Sequence, residues 1–107
     1  MSVTGSMYTG ISGLQAQSEA ISVVSNNLAN STTTAYKSSS ITFEDVFYST
    51  VSTGGSVSQV GNGVTVSAVY TDYSQGSYES TNSATDVALT GNGFFVVRQP
   101  DGSTAYT

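Results

Sequence analysis

The side chains that could carry chemistry are few in this chain, and none of them stands in a catalytic or metal-binding pattern. The sequence has no histidine and no cysteine, so the commonest general base and the thiolate nucleophile are both missing. Glu44 and Asp45 form an adjacent acidic pair, but neighbours in sequence do not share a helix face, and no third ligand lies nearby. Lys37 sits in a polar stretch with no group that would activate it as a base. We therefore expect no enzyme activity, no metal and no cofactor.

Two further patterns have simpler structural explanations. Gly91–Gly93 (GNG) lacks the spacing of a phosphate-binding loop and no helix follows it, so it predicts a tight turn. Asp72, Glu79 and Asp86 recur every seven residues, but they lie among turn-forming residues. We interpret these three as solvated loop carboxylates.

The charge balance excludes several classes of partner. Only Lys37 and Arg98 are basic, against seven acidic residues, and the formal net charge is -5. A nucleic acid or an anionic membrane surface needs cations on the protein, so neither is expected as a partner. We expect no small-molecule substrate either. The N-terminus MSVTGSMYTG has no positive region and no apolar core, which predicts that the protein has no classical signal peptide.

The low charge content needs an explanation of its own. Charged residues make up 8% of the chain, against about a quarter in ordinary soluble domains. One explanation is disorder, and the other is a surface that further subunits cover. Disordered chains are usually rich in proline or net charge, whereas this one has a single proline and 10% aromatic residues. The composition therefore favours a covered surface.

Residues 6–30 are predicted to form one helix, with Ser6 or Thr9 as its cap. A narrow apolar stripe runs along it, and Glu19 is its only charged residue. Such a stripe suits a helix packed on its own domain, and equally a helix packed against other copies or against a distant helix of the full chain. The stripe consists of Met7, Ile11, Leu14, Ile21, Val24 and Leu28.

After this helix the sequence predicts a polar turn and then a mixture of loops and strands. Amide and hydroxyl side chains over residues 26–40 compete with helical hydrogen bonds and end the helix. Residues 41–47 have apolar spacing typical of a helical turn, and the Ser/Gly-rich residues 50–60 indicate a mobile or variable loop.

From Gly61 onward, alternating apolar residues predict strands. The first begins near Val64, and further strands are expected at residues 86–90, 94–98 and 103–107, with a proline-led turn at residues 100–102. The chain is thus predicted to be an α+β protein. Its parts are a helix at residues 1–32, a junction with a Ser/Gly-rich loop at residues 33–60, and a β-rich domain at residues 61–107 that is incomplete at Thr107.

Two blocks of this sequence contain distinctive motifs. The first block is the helix followed by an NN-x-AN motif, a Ser/Thr stretch, an aromatic–Lys pair and a phenylalanine. Its motif residues are Asn26, Asn27, Ala29, Asn30, Tyr36, Lys37 and Phe43. Those of the second block are Gly61, Gly63, Gln75, Gly76, Ser77, Asp86, Val87, Ala88, Gly91, Gly93, Phe94 and Phe95. In this order the two blocks resemble the bacterial flagellar rod and hook proteins. The first block departs from that family's pattern at Ala35, where glycine is usual.

The resemblance implies a structural subunit of the flagellum that leaves the cell through the flagellar export apparatus without a cleaved signal peptide. The helix would line the inner layer of a helical tube made of copies of the protein, and its apolar stripe would pair with a C-terminal helix that this sequence lacks. Neighbouring rod and hook–filament junction proteins would be further partners. Within the family, the second block looks most like hook proteins, and distal rod proteins are the near alternative. A secreted Ser/Thr-rich binding module is the alternative from a different class.

Overall fold

A computed structural model of the chain describes residues 2–107, apart from the side chain of Thr53. One long helix precedes six short strands, which pair in three antiparallel hairpin-like ribbons, so the predicted α+β fold is confirmed. The chain divides into two compact units, Met1–Tyr73 and Ser74–Thr107, each described here by itself. The elements are α1 (Val3–Ala29), β1 (Ser39–Asp45), β2 (Ser49–Thr53), β3 (Ser56–Val60), β4 (Val64–Thr71), β5 (Val96–Arg98) and β6 (Thr104–Tyr106).

Helix α1 begins three residues earlier than predicted because Ser2 caps it. The Ser2 hydroxyl accepts a hydrogen bond from the backbone N–H of Gly5 at 3.1 Å, which satisfies one of the free donors of the first turn. The prediction that Ser6 or Thr9 is the cap was wrong. Both lie inside the helix, and their hydroxyls donate to carbonyls four residues back, at 3.2 and 3.1 Å, as mid-helix hydroxyls commonly do.

The helix packs on the β1–β4 ribbon with a face made of small and polar residues. Ala16 is the most covered residue of this face, with 3% of its surface exposed. The spacing of three and four places these positions on one side of the helix. The buried and half-buried positions of this inner face are Gly5, Thr9, Ser12, Gly13, Ala16, Ala20, Val23 and Asn27.

Gly63 lets the ribbon approach the helix closely. Its φ is 101°, and a Cβ at this position would collide with the Ser12 hydroxyl. That hydroxyl accepts from the backbone N–H of Val64 at 3.3 Å and donates to the Thr9 carbonyl at 2.7 Å. Both the left-handed backbone and the contact with Ser12 therefore require glycine here.

Strand β1 corrects the prediction of a helical turn at residues 41–47. It pairs with β4 from Ser39 opposite Thr71 to Asp45 opposite Val64, with a bulge between Thr42 and Phe43. Pairing with a strand that lies well over a dozen residues further along the chain outweighs the apolar spacing of this segment. The β-branched Ile41 and Thr42 also suit a pleated ribbon better than a helix.

The segment predicted to be a mobile loop is a hairpin. Strands β2 and β3 pair over five residues each, from Ser49 opposite Val60 to Thr53 opposite Ser56. Gly54 and Gly55 connect them with φ values of 62° and 83°, the positive pair that a tight two-residue turn needs. The prediction failed because a Ser/Gly-rich composition was taken as loop, although alternating valine, serine and threonine also form strands.

The second unit contains the predicted terminal hairpin. Strands β5 and β6 pair from Val96 opposite Tyr106 to Arg98 opposite Thr104, and residues 100–102 turn as predicted. The turn is held by Asp101, whose Oδ1 accepts from the N–H and the hydroxyl of Ser103 at 2.9 and 2.6 Å. These bonds lower the pKa of the Asp101 carboxyl. The stabilisation of the turn by these hydrogen bonds is therefore present at neutral pH, where the Asp101 carboxyl is ionised, and is lost as the pH falls through the lowered pKa.

The strands predicted at residues 86–90 and 94–98 need correction. Residues 86–90 form no strand, and the Leu89 carbonyl accepts from the side chains of Gln75 and Tyr78, at 3.4 and 3.1 Å. These side chains occupy an acceptor that a neighbouring strand would use. Strand β5 is shorter than predicted, although Phe95 still exchanges two backbone hydrogen bonds with Thr107, at 2.8 and 2.9 Å.

Replacing Ala35 by glycine is expected to stabilise the first unit. Ala35 has a φ of 59° and, within residues 2–107, is the one non-glycine residue with positive φ. A side chain in this left-handed conformation costs about 1 kcal/mol, so Ala35→Gly should raise the free energy of unfolding by about that amount. Urea denaturation followed by circular dichroism measures it. The control is Ala20→Gly inside α1, which should lower stability by about 1 kcal/mol. A loss of stability in both variants would contradict the prediction.

Candidate functional site

Asn27 connects the end of α1 to the first residue of β1. Its amide Nδ2 donates to the carbonyl of Ser39 at 2.7 Å, and its Oδ1 accepts from the N–H of Ser39 at 2.9 Å. The side chain therefore pairs with both backbone groups of one residue, as a neighbouring strand would. Because a primary amide carries a donor and an acceptor side by side, it can make this pair of bonds without any charge.

Tyr36 completes the environment of this amide. Its hydroxyl donates to Asn27 Oδ1 at 3.0 Å and accepts from Asn26 Nδ2 at 3.1 Å. Asn27 Oδ1 thus accepts two hydrogen bonds, which its two lone pairs allow. We call the group Asn26, Asn27, Asn30, Tyr36 and Ser39 the helix–sheet junction.

Asn30 ends the helix within this junction. Its Nδ2 donates to the carbonyl and to Oδ1 of Asn26, at 2.9 and 3.2 Å. Its Oδ1 accepts from the Thr33 hydroxyl at 3.1 Å, and its carbonyl accepts from the Thr33 N–H at 3.0 Å. The Asn26 carbonyl also accepts from the N–H of Asn30, so the Asn30 amide adds a second bond there, while the Thr33 N–H supplies the partner of the Asn30 carbonyl just past the end of the helix.

The structure brings together some of the first-block residues and not others. Hydrogen bonds join Asn26, Asn27, Asn30 and Tyr36, whereas Ala29 is the exposed last residue of α1 and Lys37 is half-buried directly after Tyr36. Phe43 lies beyond the junction, at the bulge of β1. Ser39 could not be predicted as a junction residue, because only its backbone takes part in the hydrogen bonds and its side-chain type carries no signal. Ser12, which accepts from the N–H of Val64, could not be predicted either, because it is one of many hydroxyl residues.

The apolar stripe of α1 lies outside the inner face of the helix. Its exposed fractions run from 45% at Ile11 to 73% at Leu14 and Leu28, and the side chains of Met7, Ile21 and Val24 fall between. Within residues 2–107, no element covers this stripe: α1 contacts β1 and β4 through its other face. The helix therefore holds its domain with small residues and presents its large apolar residues outward.

Gly61 and Gly63 of the second block lie in the first unit, and the other predicted residues of this block lie in the second unit. Asp86 Oδ2 accepts from the Thr81 hydroxyl at 2.7 Å. Gly91 has a φ of 103°, while Gly76 and Gly93 have open space around them. Phe94 and Phe95 keep 51% and 39% of their surface exposed.

No group of three or more acidic, histidine or cysteine side chains is arranged to hold a metal ion within residues 2–107. None of the helices in that range combines the length and the hydropathy needed to cross a membrane.

Comparison with known proteins covers both blocks. Residues 7–37 match the family described as flagella basal body rod protein, a span that contains most of α1 and the junction up to Tyr36. The chain is 42% identical to the flagellar basal-body rod protein FlgG of Buchnera aphidicola subsp. Baizongia pistaciae, over 94% of this chain and 43% of that protein. It is also 42% identical to the flagellar hook protein FlgE of Brucella abortus, over 100% of this chain and 26% of that protein.

The flagellar hook protein FlgE of Borreliella burgdorferi is 35% identical over 88% of this chain and 23% of its own length. The chain belongs to the flagellar rod and hook protein family. It thus spans less than half the length of these relatives. The relationship is to structural proteins of the bacterial flagellum, and the family's NN-x-AN motif is, in this structure, the hydrogen-bonded end of α1.

Replacing Asn27 by aspartate is expected to weaken the first unit more than the same change at Asn26. The new side chain would keep the acceptor but lose the donor to Ser39, leaving a carboxylate beside an unpaired carbonyl. Loss of a half-buried bond of this kind costs about 1–3 kcal/mol, and urea denaturation measures it.

Asn26→Asp is the matched control, because it makes the same charge change one residue away. The Asn26 side chain is exposed and would lose only the donor to Tyr36, so a cost below about 1 kcal/mol is expected. Equal costs for the two variants would show that the bonds to Ser39 do not hold the junction.

Proposed function

We propose that this chain is the N-terminal part of a flagellar hook subunit that assembles with copies of itself into a helical tube. The observation that carries the proposal is the exposed apolar stripe of α1, in a chain related to rod and hook proteins. The protein would lie in the hook of the bacterial flagellum, outside the cytoplasm. It would have no substrate and no cofactor, since its task is to form contacts between subunits.

The exposed stripe supports assembly on energetic grounds. Burying one large aliphatic side chain contributes about 1.5–3 kcal/mol. Six such side chains lie exposed on α1, in two groups that Gln17 and Ser18 separate. Exposed groups of large apolar residues commonly mark surfaces that a partner covers. Glu19, the only charge on α1, lies beside Ala16 and Val66, near the inner face. No charge of α1 therefore falls within the stripe, and none would have to be buried there.

The occupant of the stripe would be a C-terminal helix of the full-length protein, and the resulting helix pairs would pack against one another in the inner layer of the tube. The relatives are more than twice as long as this chain, which leaves room for such a helix. In this proposal residues 1–32 form the inner layer of the tube, and residues 61–107 form the start of an outer β-rich domain. Residues 33–60 are the segment that joins these two layers. The helix–sheet junction would then transmit force between the layers through neutral hydrogen bonds.

The alignment with the Brucella hook protein is the observation that favours the hook. The Brucella hook protein aligns over 108 positions that cover the whole chain, so this chain needs almost no gaps. The Borreliella hook protein aligns over 103 positions that cover 88% of the chain, so that alignment contains gaps as the rod alignments do. The Buchnera rod protein needs 111 positions to cover 94% of the chain, which requires several gaps. Because the percentage identities are equal, a distal rod protein is the second candidate function. Neighbouring rod and hook–filament junction proteins and the export apparatus would be partners in either case.

Electron cryotomography of cells that lack the gene tests the proposal. A complete rod without a hook is the expected result. A truncated rod would instead support the distal rod candidate, and intact flagella would overturn both. The remaining class, a secreted binding module, also predicts intact flagella.

A charge placed in the apolar stripe is expected to block assembly. Leu14→Lys puts an ammonium group at the centre of the proposed contact, where burial without a partner costs several kcal/mol. Cells carrying this variant should make the protein but form no flagella, as judged by motility and electron microscopy. Gln15→Lys, an equal change on the adjacent exposed residue outside the stripe, should leave both normal. Normal assembly of the Leu14 variant would rule out the stripe as the contact.

A further inference from the structure

The chain contains two Asn–Gly pairs, Asn62–Gly63 and Asn92–Gly93, a dipeptide prone to spontaneous deamidation. In this reaction the glycine backbone nitrogen attacks Cγ of the asparagine, and the side-chain nitrogen leaves as ammonia with the proton of the attacking amide. Water then opens the resulting five-membered imide to aspartate or isoaspartate. Glycine favours the attack because it has no Cβ to shield its nitrogen and its backbone rotates freely.

Asn62 is held away from this reaction by its hydrogen bonds. Its Nδ2 donates to the carbonyl of Phe47 at 2.6 Å, and its Oδ1 accepts from the Ser49 hydroxyl at 3.0 Å. The next residue is also fixed, since the Gly63 carbonyl accepts from the N–H of Val46 at 2.9 Å. Both side-chain bonds must break before Cγ can turn toward the Gly63 nitrogen.

Asn92 has none of these restraints. It is exposed at a bend, between Gly91 with its φ of 103° and Gly93, around which there is open space. Within residues 2–107, no hydrogen bond holds the Asn92 amide in the way that Phe47 and Ser49 hold that of Asn62. Its side chain is therefore free to reach the geometry of attack on its own backbone.

We propose that Asn92 is a site of spontaneous deamidation, whereas the Asn–Gly pair at Asn62 is protected by the fold. The aspartate product adds one negative charge to a chain of net charge -5. The isoaspartate product also lengthens the backbone by one carbon just before Phe94, Phe95 and β5. Each product changes the covalent structure of this turn. The reaction needs no enzyme, because water and the chain itself are the only reactants.

Peptide mapping by mass spectrometry tests this on the full chain after prolonged incubation at neutral pH and physiological temperature. The peptide with Asn92 should gain the mass difference between a hydroxyl and an amino group, and should contain isoaspartate. We expect it to react at least about tenfold faster than the peptide with Asn62, because two hydrogen bonds must break at Asn62. Equal rates at the two sites, or no reaction at Asn92, would overturn the proposal.

Two variants separate local structure from the dipeptide itself. Gly93→Ala adds a Cβ in open space and leaves a φ outside the left-handed region, so it should slow the reaction at Asn92 without disturbing the turn. Ser49→Ala removes one restraint on Asn62 and should accelerate the reaction there while Asn92 is unaffected. An unchanged rate at Asn62 in the Ser49 variant would show that its hydrogen bonds do not protect it.

Discussion

Asn27 pairs with both backbone groups of Ser39, and the first unit depends on this contact because it joins α1 directly to the start of β1. A chain that leaves a long helix must reverse toward its sheet within about ten residues, and each backbone group on the way needs a partner. Tyr36 hydrogen-bonds to the side chains of Asn26 and Asn27 and so holds the Asn27 amide in place, while Asn30 donates to the backbone carbonyl of Asn26. All of them are uncharged, so the turn can be covered by other molecules without the desolvation cost of a buried ion. The polar and uncharged composition of this segment follows from that requirement.

Helix α1 separates two tasks onto two faces. Its inner face consists of small residues around Ala16, which allow the β1–β4 ribbon to pack closely. Just before β4, Gly63 lies so near Ser12 that a side chain at Gly63 would collide with the Ser12 hydroxyl. The outer face of α1 carries the large apolar residues, which stay 45–73% exposed in the described unit. In an ordinary amphipathic helix the large apolar residues face the core. The inversion here means that the domain is held mainly by hydrogen bonds and close backbone approach, and that the hydrophobic free energy remains available for association.

The features that sequence analysis predicted well are those with strong local signals. The long helix, the alternation that marks β4 and the proline-led turn before β6 all follow from neighbouring residues. The failures share a different cause. The apolar spacing of residues 41–47 could not reveal that this segment pairs with a strand far along the chain. Residues 86–90 form no strand, and the side chains of Gln75 and Tyr78 donate to the Leu89 carbonyl, which a neighbouring strand would otherwise use. The junction residues were identified by resemblance, but their bond to Ser39 could not be, since it uses backbone atoms that every residue has.

Because α1 has two distinct faces, substitutions on one face should affect the stability of the unit, and substitutions on the other should affect its association. Enlarging a residue of the inner face would push the helix off β4, because Ser12 and Gly63 already touch, and the unit itself would weaken. Changing an outer residue alters a largely exposed side chain, so its main effect would fall on whatever covers the stripe. Val23 and Val24 make the contrast within one turn, the first half-buried and the second 62% exposed. Most of the exposed residues of α1 that belong to neither face are polar or small as well, with Glu19 as the single carboxylate, so the two faces alone do not account for the low charge of the helix.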